Sequence, residues 1–258
     1  MTAPNTAEKL RHLADTYAAG KKITSLTAYD YPTARLLDES GIDLVLVGDS
    51  LGMMVYGFED TVDVTMQMMV NHTLACARGV SRALLASDLP YHSYESSDQA
   101  LENAKLLVDA GAEAVKLEGG ADQFDHIKTI VDAGIPFLGH IGMLPQHVRE
   151  EGGYKKKGKT PAQQNQLEKD AAALQEAGAF AMVLEGIVPE VAAHITATAS
   201  IPTIGIGSGP HCDGQVLVIN DLLGSFPWFR PPFATPRASL AEDTLQAVAA
   251  YIKEVQND

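Results

Sequence analysis

Eight short apolar runs recur along the chain, and each is nearly continuous rather than alternating. They cover residues 23–29, 44–50, 82–90, 114–120, 136–142, 180–186, 201–209 and, more weakly, 215–219. A strand solvated on one face alternates apolar with polar residues. A run that does not alternate suits a strand buried on both faces of a parallel sheet. Parallel strands need long crossovers, and the intervening segments read as helices. Residues 98–110 carry Leu101, Ala104, Leu107 and Val108 at the spacing of one buried helical face. Thr160 is placed to cap a helix that opens with Pro161. Residues 64–80 are helical and Met-rich, with the methionines read as core filling. Residues 7–19 predict an extra helix covering one end of the fold, and residues 240–255 a last helix.

An internal repeat narrows the topology. Asp109-Ala-Gly-Ala-Glu-Ala-Val-Lys-Leu-Glu-Gly-Gly120 resembles Glu176-Ala-Gly-Ala-Phe-Ala-Met-Val-Leu-Glu-Gly-Ile187, and Glu39-Ser-Gly-Ile42 and Asp132-Ala-Gly-Ile135 copy its opening. In each copy a glycine closes a helix shortly before a strand begins, where a left-handed residue is needed. About eight strands alternating with helices predict a (β/α)8 TIM barrel with an extra N-terminal helix. The alternative is an open doubly wound sheet, but no GxGxxG follows the first strand. The 258 residues suit one barrel domain, residues 1–258, since such a barrel uses about 250.

Composition excludes several partners. With 19 Lys+Arg against 33 Asp+Glu the formal charge is −14, unsuited to nucleic acid or an anionic membrane surface. No run approaches the ~18 apolar residues of a membrane span, and residues 1–20 have no apolar signal core. Cys76 and Cys212 are the only cysteines, too few for a disulfide framework or a thiolate zinc site. These features predict a soluble, cytoplasmic protein.

The strands end in polar residues. Gly48-Asp49-Ser50 ends the second, Ser87-Asp88 the third, Lys116-Leu-Glu118 the fourth, Gly139-His140 the fifth and Leu184-Glu185 the sixth. In a parallel barrel these ends share the rim where barrel enzymes do their chemistry. Each acid alone could merely cap a helix or face solvent. Four together repel unless neutralised. An oxygen-rich set without cysteine favours Mg2+ over Zn2+. Lys116 and Glu118 share one face of their strand. A buried Lys116 could pair with a carboxylate, bind an anionic substrate or form a Schiff base.

The chain resembles the ketopantoate hydroxymethyltransferase family over residues 23–224. The matching motifs are Leu26-Thr-Ala-Tyr-Asp30, Val47-Gly-Asp-Ser-Leu-Gly-Met53, Ser87-Asp-Leu-Pro90, Val115-Lys-Leu-Glu-Gly-Gly120, Gly139-His-Ile-Gly142, Gly152-Gly-Tyr-Lys155, Val183-Leu-Glu185 and Ile204-Gly-Ile-Gly-Ser-Gly209, followed by Asp213-Gly-Gln215. The resemblance implies a barrel of the phosphoenolpyruvate/pyruvate type that uses Mg2+. It implies transfer of a one-carbon unit from 5,10-methylenetetrahydrofolate to 3-methyl-2-oxobutanoate through an enolate, giving ketopantoate for pantothenate and coenzyme A synthesis. By motif, Asp49, Asp88 and Glu118 would form the metal site. Asp49, Ser50, Asp88 and Lys116 would contact the 2-oxo acid, Glu185 would be the base, and His140 would lie near the substrate. One Mg2+ and Lys116 would bring the four acids from a formal −4 to about −1. The family also implies a homo-oligomer, commonly a decamer.

The segment 143–160 resembles the family's loop after the fifth strand, a candidate lid, and carries the basic residues Lys155, Lys156, Lys157 and Lys159. Those lysines are either a solvated loop or a site for the folate's glutamate tail. Gly57-Phe-Glu-Asp-Thr61 departs from the family's His-bearing version, Ser208 stands where Ala is usual, and the stretch from Phe226 to Pro232 diverges. Three rivals stand beside this reading. One is a Mg2+-dependent 2-oxo acid lyase or mutase of the same barrel superfamily, which usually carries a catalytic Cys near the lid. The others are a Schiff-base aldolase using Lys116 and a non-catalytic binding or assembly barrel.

Overall fold

The computed structural model describes residues 4–257. The chain falls into two compact units, one ending at Val216 and the other beginning at Leu217. Strands β1 (Ile23–Thr27), β2 (Leu44–Val47), β3 (Leu84–Asp88), β4 (Ala114–Lys116), β5 (Phe137–Gly142), β6 (Ala181–Glu185), β7 (Thr203–Ile206) and β8 (Gly214–Leu217) follow one another around a closed barrel. Neighbouring pairs from β1–β2 to β7–β8 are parallel. The continuous apolar runs thus become strands covered on both faces, as in β2, where all of Leu44–Val47 is buried.

Nine helices of the first unit are described: α1 (Thr6–Ala18), α2 (Tyr31–Glu39), α3 (Leu51–Met54), α4 (Met66–Ala77), α5 (Ser97–Asp109), α6 (Phe124–Asp132), α7 (Val148–Glu151), α8 (Pro161–Ala177) and α9 (Pro189–Thr198). Thr160 caps α8 by accepting from the Gln163 amide. Of the α4 methionines, Met69 is fully buried and fills the core, whereas Met66 and Met68 are half-buried. All four repeat glycines have left-handed backbones: Gly41 at φ +80°, Gly111 at +103°, Gly134 at +82° and Gly178 at +97°. The repeat is therefore a helix-stop, strand-start signal written in backbone geometry. In the second unit, α10 (Ile219–Leu223) ends at the left-handed Gly224. There α11 (Leu240–Asn257) buries none of its residues, and Trp228 is 82% exposed.

Helix α1 closes the N-terminal mouth of the barrel. Leu13 is 3% exposed in a cluster with Ile23, Leu44, Leu84, Ala114 and Val216. Around it, Lys9 pairs with Glu113 at 2.8 Å and His12 meets Asp43 at 3.1 Å. Both acids immediately precede strands, β4 and β2 respectively. Leu13→Ala removes a core side chain from a site walled by strand backbones that cannot collapse onto it. A loss of about 2–4 kcal/mol is expected in denaturant unfolding.

The observed strands are shorter than the apolar runs, and the difference places the chemistry. β2 stops at Val47 and β4 at Lys116, so Asp49, Ser50 and Glu118 lie just past the ladder. Beyond Glu118 the chain turns sharply: Gly119 has φ +125°, its amide donates to the His140 carbonyl at 3.0 Å, and a Cβ there would lie 2.4 Å from Gln123 Cγ.

Candidate active site

The strand ends converge at the C-terminal mouth. Asp88 and Lys116 are register partners on β3 and β4, which brings the Lys116 ammonium to 3.0 Å from Asp88 Oδ1. Lys116 Nζ also donates to His140 Nδ1 at 3.2 Å. An ammonium only donates, so Nδ1 accepts and the ring proton belongs on Nε2. Nε2 lies 3.1 Å from Glu185 Oε2, and Nδ1 lies 3.7 Å from Glu118 Oε1. A line Asp88–Lys116–His140–Glu185 therefore crosses the mouth from β3 to β6. Beside it, Ser50 Oγ meets the Tyr29 hydroxyl at 2.8 Å, and the Asp49 amide donates to Asp88 Oδ2 at 3.1 Å.

Burial governs the charges. Asp49, Asp88, Lys116, Glu118 and His140 are each at most 5% exposed, whereas the Glu185 side chain keeps 15% of its surface open. Burial, then the Asp88 carboxylate, pushes Asp49 up. Burial, then Asp49, pushes Glu118 well above the carboxylate range. Burial pushes Glu185 up to about 7, against the pull of Lys116. Burial and the neighbouring ammonium hold His140 well below its ordinary value, so its imidazole is neutral. Burial alone would lower Lys116, but Asp88, Glu118 and Asp49 outweigh it and keep it protonated. The site is thus an acid-rich pocket whose fixed cation does not balance it.

Within this site two buried atoms lack an aligned hydrogen bond: Asp88 Oδ1 and His140 Nε2. Each has an ion-pair neighbour, at 3.0 and 3.1 Å respectively, but off the line of a good bond. Buried polar atoms left so are costly and call for a ligand or water. Among the described residues, no three His, Cys, Asp or Glu side chains form a ready-made ligand set for one ion.

The geometry is that of a barrel enzyme acting on a polar small molecule, and comparison with known proteins decides which. The family model described as ketopantoate hydroxymethyltransferase matches residues 7–258.

The chain belongs to the ketopantoate hydroxymethyltransferase family.

The 3-methyl-2-oxobutanoate hydroxymethyltransferase of Thermoanaerobacter sp. (strain X514) is 52% identical over 239 residues, covering 92% of this chain and 87% of its own. That of Ignicoccus hospitalis is 49% identical over 249 residues, covering 96% and 94%. Among solved structures, a phosphonopyruvate hydrolase complexed with oxalate and Mg2+ superposes with TM-score 0.65 at 14% identity, covering 100% of this chain and 88% of that one. A 2,3-dimethylmalate lyase of the PEP mutase/isocitrate lyase superfamily superposes with TM-score 0.64 at 16% identity, covering 100% and 89%. The barrel is shared with that hydrolase and that lyase; the close relatives are one-carbon transferases, and ketopantoate hydroxymethyltransferase activity is the activity of this family member. Its thiols agree with that. Cys76 lies buried on α4, pushed up to about 12 by burial, and Cys212 is also buried.

Sequence reasoning left three participants without a role. Gln146 lies in the 3-10 turn Pro145–His147 after β5 and is 1% exposed. Tyr94 donates its hydroxyl to Gln146 Oε1, and Tyr29 bridges Ser50 and Thr27. Tyr29 stands inside a motif that carried the family resemblance, and Gln146 follows Met143-Leu-Pro145 directly after β5; no spacing rule marks either. The segment 143–160 is fastened across the mouth. Arg149 on α7 holds both oxygens of Asp60 at 2.8 and 2.9 Å and those of Asp63 at 3.2 and 2.6 Å. Asp60 lies in the stretch that departs from the family's His-bearing version. Of the basic cluster, Lys155 donates to the Glu151 carbonyl and Lys157 pairs with the Glu151 carboxylate, so half of it is engaged within the loop.

Proposed function

We propose that hydroxymethyl transfer to 3-methyl-2-oxobutanoate is carried out here with Glu185 as the base, Lys116 and Ser50 on the 2-oxo acid, and 5,10-methylenetetrahydrofolate as the one-carbon donor. The observation that carries this reading is the Asp88–Lys116–His140–Glu185 line, which sets a fixed cation and a raised carboxylate on either side of the His140 ring. The C3 proton of the oxo acid is weakly acidic. A carboxylate raised to about 7 is a stronger base than an ordinary one and is still ionised near neutrality. His140 faces that carboxylate with Nε2 at 3.1 Å. Lys116 places positive charge where negative charge develops on the substrate oxygens. The Arg149-fastened loop limits the entry of water.

The donor set fits Mg2+. Asp49, Asp88 and Glu118 are the residues that would hold it, with Asp49 and Asp88 also facing the oxo acid. Three buried carboxylates, Asp49, Asp88 and Glu118, share one fixed cation, Lys116, which leaves room for further positive charge. The lack of a closed three-residue ligand set suits an ion that takes one or two carboxylates and completes its shell with substrate and water. When bound, Mg2+ supplies Lewis-acid stabilisation of the substrate's ketone and carboxylate oxygens. The phosphonopyruvate hydrolase with oxalate and Mg2+ supports that choice, since oxalate offers oxygens on two adjacent carbons as a 2-oxo acid does.

The single-domain reading of residues 1–258, a cytoplasmic location and a homo-oligomeric, decameric assembly complete this proposal; the location rests on the cysteine-poor composition and the assembly on the family resemblance. The experiment is direct. The protein is incubated with 3-methyl-2-oxobutanoate and methylenetetrahydrofolate, with and without Mg2+. Ketopantoate forms only in the presence of Mg2+ and both substrates. No product under those conditions rejects the reading.

A further inference from the structure

Gln146 engages its whole side-chain amide and its backbone N–H. Its side-chain NH2 donates to Asp49 Oδ2 at 2.7 Å and to the Leu89 carbonyl at 3.0 Å, and its backbone N–H donates to Glu118 Oε2 at 3.0 Å. Its side-chain oxygen accepts from the Tyr94 hydroxyl. Two acceptors on one side and a hydroxyl on the other fix which end of the amide is nitrogen. With Gln146 1% exposed, water cannot substitute for any of these partners. One residue therefore pins one oxygen of each of two acids that come from different strands. Asp49 follows β2, Glu118 follows β4, and Gln146 itself belongs to the turn after β5.

We infer that Gln146 is the positioning residue of the ion site: it occupies Asp49 Oδ2 and Glu118 Oε2 so that their other oxygens are held toward the space that Mg2+ and the oxo acid share, and it ties the root of the 143–160 loop to that arrangement. This rests on the reading above for the identity of the ion. The reasoning is geometric. A carboxylate rotates about its last bond, and a ligand oxygen that wanders binds an ion poorly. Partners that orient the ligands of an ion typically contribute 10- to 100-fold in affinity. A neutral amide achieves this without adding charge to a pocket that already holds an excess of acid.

The test uses the whole chain, freed of divalent cations with chelator and titrated calorimetrically with MgCl2 in the presence and absence of 3-methyl-2-oxobutanoate. Gln146→Leu keeps the backbone donor to Glu118 and removes the side-chain clamp on Asp49. Its Mg2+ Kd is expected to rise by about 10- to 100-fold. Tyr94→Phe keeps the amide but frees its orientation, and its Kd is expected to rise about fivefold, the loss of one ordinary hydrogen bond. Thermal melting of the ion-free proteins runs alongside. Unchanged Mg2+ affinity in both variants, with or without a lower melting temperature, overturns the inference and leaves Gln146 a structural residue. Wild-type chain that takes up no Mg2+ overturns it as well. Ketopantoate formation by the wild type, assayed separately with MgCl2, 3-methyl-2-oxobutanoate and methylenetetrahydrofolate, keeps the two ideas apart: Mg2+ uptake without product in that assay rejects the reaction reading and leaves the role of Gln146 standing.

Discussion

Glu185→Gln is expected to bind 3-methyl-2-oxobutanoate nearly as the wild type does and to lose exchange of the C3 proton with solvent deuterium. Glutamine fills the same volume and can still meet His140 Nε2, now through its carbonyl oxygen. It cannot take up the proton. A positioned base contributes about 10²–10⁴-fold, so exchange measured by NMR should fall by that factor while the substrate Kd moves little. Wild-type exchange should rise with pH through about 7, the value to which burial pushes Glu185, and then level off. The variant lacks that limb. Stability moves the other way. The folded state holds a proton on Glu185 that the unfolded chain releases at lower pH. The stability contributed by that group is therefore full below the ordinary carboxylate range and is lost as pH rises toward 7. Its upper limit is about 3 kcal/mol, from a shift of roughly two and a half units. A permanently neutral glutamine at this position avoids the loss, so the ion-free variant should melt higher than the ion-free wild type above pH 7. Normal exchange in the variant would move the base elsewhere.

Much of this site can be read in the sequence because a parallel barrel collects strand ends. Once residues 44–50, 114–120 and 180–186 are recognised as doubly buried strands, the polar residues that close them must share a rim. The repeat glycines were legible for a related reason: Gly41, Gly111, Gly134 and Gly178 occupy left-handed turns that other residues adopt at a cost. The strands are shorter than the apolar runs that mark them. Apolar character continues through Leu117 and Leu89, which stay buried after the ladder stops, and burial rather than pairing is what hydropathy reports. Gln146 and the Arg149 latch were not legible. Gln146 reaches Asp49 across 97 residues of sequence, and Arg149 reaches Asp60 across 89. A polar residue in a loop carries no periodicity to reveal its partner. The particular reaction came from ordered motifs shared with a family, since the physics of the rim alone left a lyase, an aldolase and a transferase open.

Lys116→Met should have the other large effect, and its several signs separate the roles the lysine could play. Its ammonium stands at 3.0 Å from Asp88 Oδ1 and 3.2 Å from His140 Nδ1, in a pocket that also holds Asp49, Glu118 and Glu185. Removing one partner of a buried pair leaves an uncompensated charge and costs about 3–5 kcal/mol. That loss should appear in denaturant unfolding near neutral pH. It should shrink under mildly acidic conditions, where the orphaned acids can take up protons instead. Turnover should fall at least about 10²–10³-fold, the usual effect of removing a donor from developing negative charge. Because Lys116 and Mg2+ are attracted by the same acids, the variant should bind Mg2+ as well as the wild type or better, the opposite of Gln146→Leu. A Schiff-base role makes a different demand: borohydride would then trap the oxo acid on wild-type Lys116. The ion-pair geometry argues against such an adduct. Asp88 keeps the amine protonated, whereas imine formation needs a free amine, which enzymes obtain by placing lysine beside other cations or in an apolar pocket. Mass spectrometry after borohydride should therefore find Lys116 unmodified.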